Sequence, residues 1–129
     1  MGPVLVTGAT GFVGAAVARR LIAAGAGVRF LVRAGSDTRN IEGLPGERRV
    51  GDLGDAASLK RAVAGCAALY HVAADYRLWV PRPAEIYRVN VDGSVALIRA
   101  AAAAGARRIV YCSSVAVLGI DKNGTPGDE

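Results

Sequence analysis

Five short runs of mainly apolar residues, separated by segments of helical periodicity or by turn-rich loops, predict the architecture of the chain. Val4 to Val6, Val28 to Val32 and Ala67 to Val72 are nearly unbroken in apolar character, and two further runs end at Val50 and Cys112. Unbroken runs of this length suit strands buried on both faces, whereas a sheet with one wet face would alternate. Between the first two runs, Val13, Val17 and Leu21 recur every fourth residue while Arg19 and Arg20 face elsewhere. That spacing predicts an amphipathic helix from Phe12 to about Ala24, stopped by Gly25 and Gly27, with small residues Gly14, Ala15 and Ala18 letting it lie close to the sheet. A loop of turn residues runs from Ala34 to Gly46, before a third strand near Arg48 to Val50. Asp55 is placed to cap a helix over Ala57 to Ala64, which Gly65 ends. Asp75 to Pro83 (D-Y-R-L-W-V-P-R-P) breaks all periodicity; a long helix follows from about Ala84 to Ala104, closed by Gly105, and then the fifth strand, Arg108 to Cys112. Strands alternating with helices imply an α/β fold, a doubly wound parallel sheet with right-handed crossovers and strand order 3-2-1-4-5.

Composition narrows the class. The 129 residues are 52% hydrophobic and 21% charged, which describes a single soluble globular domain. No apolar run approaches the length of a membrane span, and the N-terminus enters the first strand without a basic leader and cleavage site, so the cytoplasm is the expected compartment. Cys66 and Cys112 lie in apolar segments and are expected to be buried, reduced thiols. Sixteen basic against 11 acidic residues give a net charge of +5. The basic residues are scattered, with no basic run and no aromatic-interleaved strand, so nucleic acid is not expected as a partner. One histidine and these scattered acids make no metal site.

In a doubly wound sheet, ligands lie beyond the carboxyl ends of the strands, at the switch between strands 1 and 4. Val4 to Gly14 reads V-L-V-T-G-A-T-G-F-V-G: a strand, then glycines at Gly8, Gly11 and Gly14, then a helix. In that context a glycine pattern reads as a dinucleotide-binding turn. One glycine takes backbone angles closed to other residues, another lets the main chain approach a pyrophosphate, and the third lets helix and strand pack closely. Thr7, Gly8, Thr10, Gly11, Phe12, Val13 and Gly14 are therefore candidate cofactor-binding residues. The same rule selects Arg33, Asp52, Leu53, the strand-4 end at His71, Val72, Ala73 and Ala74, and Ser113 and Ser114 after strand 5. Arg33 stands 19 positions past Gly14, where an acid would bond the ribose 2′-hydroxyl of NAD. An arginine there suits a 2′-phosphate, making NADP the preferred cofactor over NAD. The alternatives are a solvent-exposed strand-end arginine, and a role for Asp37, which leaves NAD open.

The glycine motif T-G-A-T-G-F-V-G, the strand-5 end Y-C-S-S-V-A-V-L-G and the segment H-V-A-A-D-Y-R-L-W followed by E-I-Y-R-V-N-V-D-G together resemble the extended short-chain dehydrogenase/reductase family, over Val4 to Gly119. Within it the likeness is greatest to hopanoid-associated sugar epimerases and dihydroflavonol reductases. The resemblance implies a Rossmann-type NAD(P)-binding domain over residues 1–129 and hydride transfer at a secondary alcohol or ketone of a small, sugar-like substrate. It makes Ser114 the substrate-binding serine of the family's Ser-Tyr-Lys triad, treats His71 to Ala74 as a backbone wall beside the cofactor, and gives Asn90 a bracing role near the site. Paired serines as turn residues, and Asn90 as an exposed helix position, are the competing readings. The family's Tyr-x-x-x-Lys is missing: Tyr70, Tyr76, Tyr87 and Tyr111 are followed four residues later by Ala74, Val80, Val91 and Val115. The chain is thus expected to be the N-terminal cofactor part of a longer enzyme, ending before the catalytic helix and the C-terminal substrate domain, and inactive alone. A ketone reductase of dihydroflavonol or steroid type and a non-catalytic NAD(P)-binding sensor are the rival functions. An uncovered edge at Ile109, Val110 and Tyr111 would favour self-association, and a homo-oligomer is compatible with the family.

Overall fold

In the computed structural model, which describes residues 1–128, five parallel strands form one sheet in the order β3-β2-β1-β4-β5. They are β1 (Val4–Thr7), β2 (Val28–Val32), β3 (Glu47–Val50), β4 (Ala68–His71) and β5 (Arg108–Tyr111). The order and the parallel sense agree with the reading from apolar runs. The helices are α1 (Phe12–Ala23), α2 (Ala56–Val63), α3 (Ala84–Tyr87) and α4 (Ser94–Ala103). Alternation along the central strands sends side chains to two cores. Leu5, Leu31 and Leu69 pack with Leu59, Ala62 and Val63 of α2 and Leu97 and Ala101 of α4. Val6, Phe30 and Val32 pack on the other face with Ala18 of α1.

Several local details differ from the sequence reading. In α1 the fully buried positions are Gly14, Ala15 and Ala18, as their size requires, but Val13 is half exposed because the first turn of the helix projects past the strand ends. The loop after β2 carries a 3-10 turn, Arg39–Ile41, whose Ile41 is entirely buried and pins the loop to the core. The long helix is real but not uniform: between α3 and α4 lies a π-helical stretch, Arg88–Gly93. A side chain at Gly93 would collide with Leu53, so this stretch rests directly on the chain that follows β3. Cys66 is buried as expected, whereas Cys112 is exposed because it leaves the end of the edge strand β5.

Arg29, in the middle of β2, is the one charged side chain drawn into the sheet's interior among the described residues. It lies beneath α2 and donates to the carbonyls of Ala62 and Ala64, each at 2.7 Å, and to Cys66 Sγ at 3.3 Å. Its Nε meets Glu47 of β3 at 2.6 Å. The last carbonyls of a helix have no intrahelical donor, so a guanidinium at this end satisfies them and opposes the negative end of the dipole. Arg29→Met keeps most of the volume, removes the guanidinium from the Ala64 carbonyl and leaves the Ala62 carbonyl only the long contact from Cys66 Sγ at 3.5 Å. Chemical denaturation should show a loss of about 2–4 kcal/mol; a loss below about 0.5 kcal/mol, the level of an ordinary surface change, would deny Arg29 this capping role.

Candidate functional site

The turn between β1 and α1 divides its glycines among three tasks. Gly8 has φ of +69°, a left-handed conformation that favours glycine, and a Cβ there would come within 2.7 Å of the Ala73 nitrogen. A Cβ on Gly14 would overlap the Gly8 carbonyl oxygen, so the helix lies against the turn only because both positions are bare. Gly11 is exposed and extended, with φ −89° and ψ 178°, and a Cβ there would meet only the Gly8 oxygen at 3.4 Å. Packing within the chain therefore does not require a glycine at this position.

The two first helices differ at their N-termini. Asp55 caps α2, its Oδ1 accepting from the N–H groups of Ala57 and Ser58 at 3.0 and 3.3 Å. The start of α1 has no side-chain cap and no acid in its first turn. Its first N–H groups, at Phe12 and Val13 beside Gly11, are thus left for an external acceptor, at the positive end of the helix. Phe12 stands 91% exposed beside them. An anionic pyrophosphate fits this arrangement in charge and in donor geometry.

Beyond the carboxyl ends of β2 and β3, a cleft of about 560 Å³ is lined by Arg33, Gly35, Ser36, Asp52, Ser58 and Arg61 among others. Arg33 is exposed at its edge. Asp37 does not line it: its carboxylate bonds the Arg39 backbone and guanidinium at 3.0 and 2.8 Å, which holds it below the usual carboxylate range. Asp52 accepts from the Gly54 N–H through Oδ1 at 2.6 Å, while Leu53 turns into the core. Asn40, in the 3-10 turn after β2, ties that loop to the glycine turn by donating from Nδ2 to the Thr10 carbonyl at 2.7 Å. Asn40, Ser36 and Arg61 were not singled out from sequence; each stands in a polar stretch with no pattern to mark it.

Thr7 and His71, both read as cofactor residues, prove to be wholly buried and bonded to each other, Oγ1 to Nδ1, at 2.7 Å. The other ring nitrogen of His71 meets Ser94 Oγ of α4 at 2.8 Å, and Ser94 too went unmarked by the sequence. Their side chains therefore shape the site from behind, and only the backbone of Val72, Ala73 and Ala74 continues toward the glycine turn. Asn90, in the π-helical stretch, is half-buried and not a solvent-facing position: Oδ1 accepts from the Asp75 N–H at 2.7 Å and Nδ2 donates to the Asp75 carbonyl at 2.6 Å. This clamp holds the chain as it leaves the strand-4 end. Asp75 itself pairs with Arg77, which brings its carboxyl down to about 2. Ser113 and Ser114 are exposed beyond β5; Ser114 Oγ accepts from the Ala116 N–H at 3.1 Å, leaving its own proton available to donate. The described residues hold no cluster of metal-ligating side chains.

A family model described as the NAD dependent epimerase/dehydratase family matches residues 4–129. The chain belongs to that family. Among solved structures, that of gox2253 superposes with a TM-score of 0.88 at 52% identity, over 98% of this chain and 38% of that one. A short-chain dehydrogenase/reductase superfamily protein of Agrobacterium tumefaciens, solved with bound NAD, matches at TM-score 0.74 and 37% identity, over 86% of this chain and 32% of that one. Among curated relatives, Sterol demethylase protein B of Methylococcus capsulatus is 41% identical over 96% of this chain and 38% of its own length. A dihydroflavonol 4-reductase of Hordeum vulgare is 36% identical over 97% of this chain and 38% of its own. The chain thus spans well under half the length of the epimerase/dehydratase family members it matches.

Burial pushes the His71 imidazole down to about 4 from an ordinary value of 6.5. The folded state then binds fewer protons than the unfolded chain between these two values. Its contribution to stability is complete above about pH 6.5 and is lost as pH falls through 4. Denaturation at pH 7.5 and at pH 4.5 should differ by about 2–3 kcal/mol from this group. His71→Gln should flatten that dependence, and an unchanged slope in the variant would mean that other groups carry it.

Proposed function

We propose that this chain is the dinucleotide-binding part of an NAD(P)-dependent oxidoreductase or epimerase acting at a secondary alcohol or ketone, with a sugar-like substrate and NADP as the favoured cofactor. The observation that carries the reading is the uncapped, acid-free start of α1 beside the bare, exposed Gly11. In this reading the N–H groups of Phe12 and Val13 hold the pyrophosphate, and the cleft by Arg33 and Ser36 takes the adenosine end. The nicotinamide, once bound, gives or takes a hydride. Arg33 supports a 2′-phosphate, since the nearby acid, Asp37, is spent on Arg39. Ser114 serves as donor to the substrate oxygen, worth most when charge gathers there in the transition state. Acid–base transfer falls to residues outside this chain. The names of the dihydroflavonol 4-reductase relatives favour a second reading, reduction of a ketone, on the same cofactor site.

Calorimetric titration separates these assignments. The chain should bind NADPH more tightly than NADH, and Arg33→Ala should erase the difference, a loss of roughly 10- to 150-fold from one charge-assisted contact. Gly11→Val should abolish binding of both while the melting temperature stays close to that of the parent, because its backbone angles are open to any residue. Equal affinities for the two cofactors in the parent would remove the NADP preference; full binding by Gly11→Val would place the phosphates elsewhere.

A further inference from the structure

The hydroxyl of Thr7 has one proton and two lone pairs. Both lone pairs are spoken for: the N–H groups of Val72 and Ala73 donate to it, each at 3.1 Å. Its proton therefore points at His71 Nδ1, 2.7 Å away, and that nitrogen must be bare. The ring proton of the neutral histidine then sits on Nε2 and is donated to Ser94 Oγ at 2.8 Å. Hydrogen-bond accounting leaves a single arrangement of protons through a network that joins β1, the end of β4 and the start of α4. Among the described residues no buried side-chain nitrogen or oxygen lacks a partner.

We propose that His71 is a positioning residue which, through Thr7, holds the Val72–Ala73 backbone against the Gly8 turn and so shapes the phosphate side of the cofactor site at the switch between β1 and β4. The proposal rests on the dinucleotide reading above. Thr7 and His71 are in register on adjacent strands and mark the last paired positions of β1 and β4, so the next two amides of the β4 chain lie beyond the ladder. Without the threonine oxygen they would be open donors on the cleft wall, in competition with the N–H groups at the start of α1 for an anion. With it, the wall beside Gly8 offers no N–H from Val72 or Ala73 to compete with the start of α1. The spacing is tight, since a Cβ on Gly8 would come within 2.7 Å of Ala73 N and 3.0 Å of the Val72 carbonyl carbon. A buried apolar side chain in place of the imidazole would fill the volume but would leave the Thr7 proton unpaired, which costs more in a dry interior than in water. His71 thus acts on the ligand without touching it.

The test combines binding with a reading of the ring protons. The sequence has a single histidine, so its two ring nitrogens can be followed by nitrogen NMR without overlap. At pH 7 the parent should show the neutral form protonated on Nε2. Thr7→Val, which keeps the shape and removes the hydroxyl, should weaken NADPH binding about tenfold or more, a difference of about 1.4 kcal/mol or more, and should disturb the ring signals. Thr7→Ser, which restores the oxygen, should recover affinity to within about threefold of the parent. A merely structural role would lower the melting temperature of Thr7→Val and leave its affinity intact; that outcome overturns the proposal while the dinucleotide reading stands. Absence of NADPH and NADH binding by the parent overturns both. If Thr7→Val does not fold, the parent spectrum decides: a proton on Nδ1, or on both nitrogens, overturns the network, and a proton on Nε2 with Thr7→Ser binding like the parent upholds it.

Discussion

The close approach of the first helix to the first strand is the constraint from which the rest of this structure follows. Gly14 lies against the carbonyl of Gly8, and Gly8 in turn lies against the backbone of Ala73. Three segments meet here with no side chain between them. Any Cβ at Gly8 or Gly14 would force the helix, the turn or the end of β4 outward, and the space beyond the strand ends would lose its shape. The helix packs on small residues for the same reason, with Ala15 and Ala18 continuing the line begun by Gly14. Bareness at these points substitutes for the apolar interlock that fills the two cores elsewhere.

Around that contact the backbone N–H groups are divided between those in use and those left open. The end of β4 gives two of its amides to the Thr7 hydroxyl, and the chain after it gives one to Asn90. α2 gives two to its own Asp55. The start of α1, by contrast, has no side-chain cap and no acid in its first turn. That end, at the switch between β1 and β4, is thus polarised in the sense that suits an anion. The neighbouring cleft carries Arg33 and Arg61 together with Asp52 and Asp55.

Much of this was legible in the residues because it is local. Strand runs, the Asp55 cap and the glycine punctuation depend on near neighbours, and the strand order follows from alternation and handedness. What escaped depends on partners distant in sequence. His71 could be placed at a strand end, but not its bonds to Thr7 and Ser94, 64 and 23 positions away. The π-helical stretch has an ordinary helical pattern on either side; its geometry comes with Gly93 resting on Leu53 and Asn90 gripping Asp75. Ile41 lies in a mainly polar loop, and its burial answers to the core it reaches. Val13 fits the helical period, yet the sheet ends before it, and Cys112 fits an apolar strand that lies at an edge.

The central claim is that an anionic dinucleotide is held by the open amides at the start of α1. It is tested most directly by recording the backbone amide resonances while NADPH is added. The account predicts that the largest shifts fall on Phe12 and Val13, with a second group at Arg33 to Ser36, and that the amides of Val72 and Ala73, already bonded to Thr7, move little. Shifts centred on the β4 end, or on the surface around Arg82 and Arg88, with the α1 amides unmoved, would contradict it.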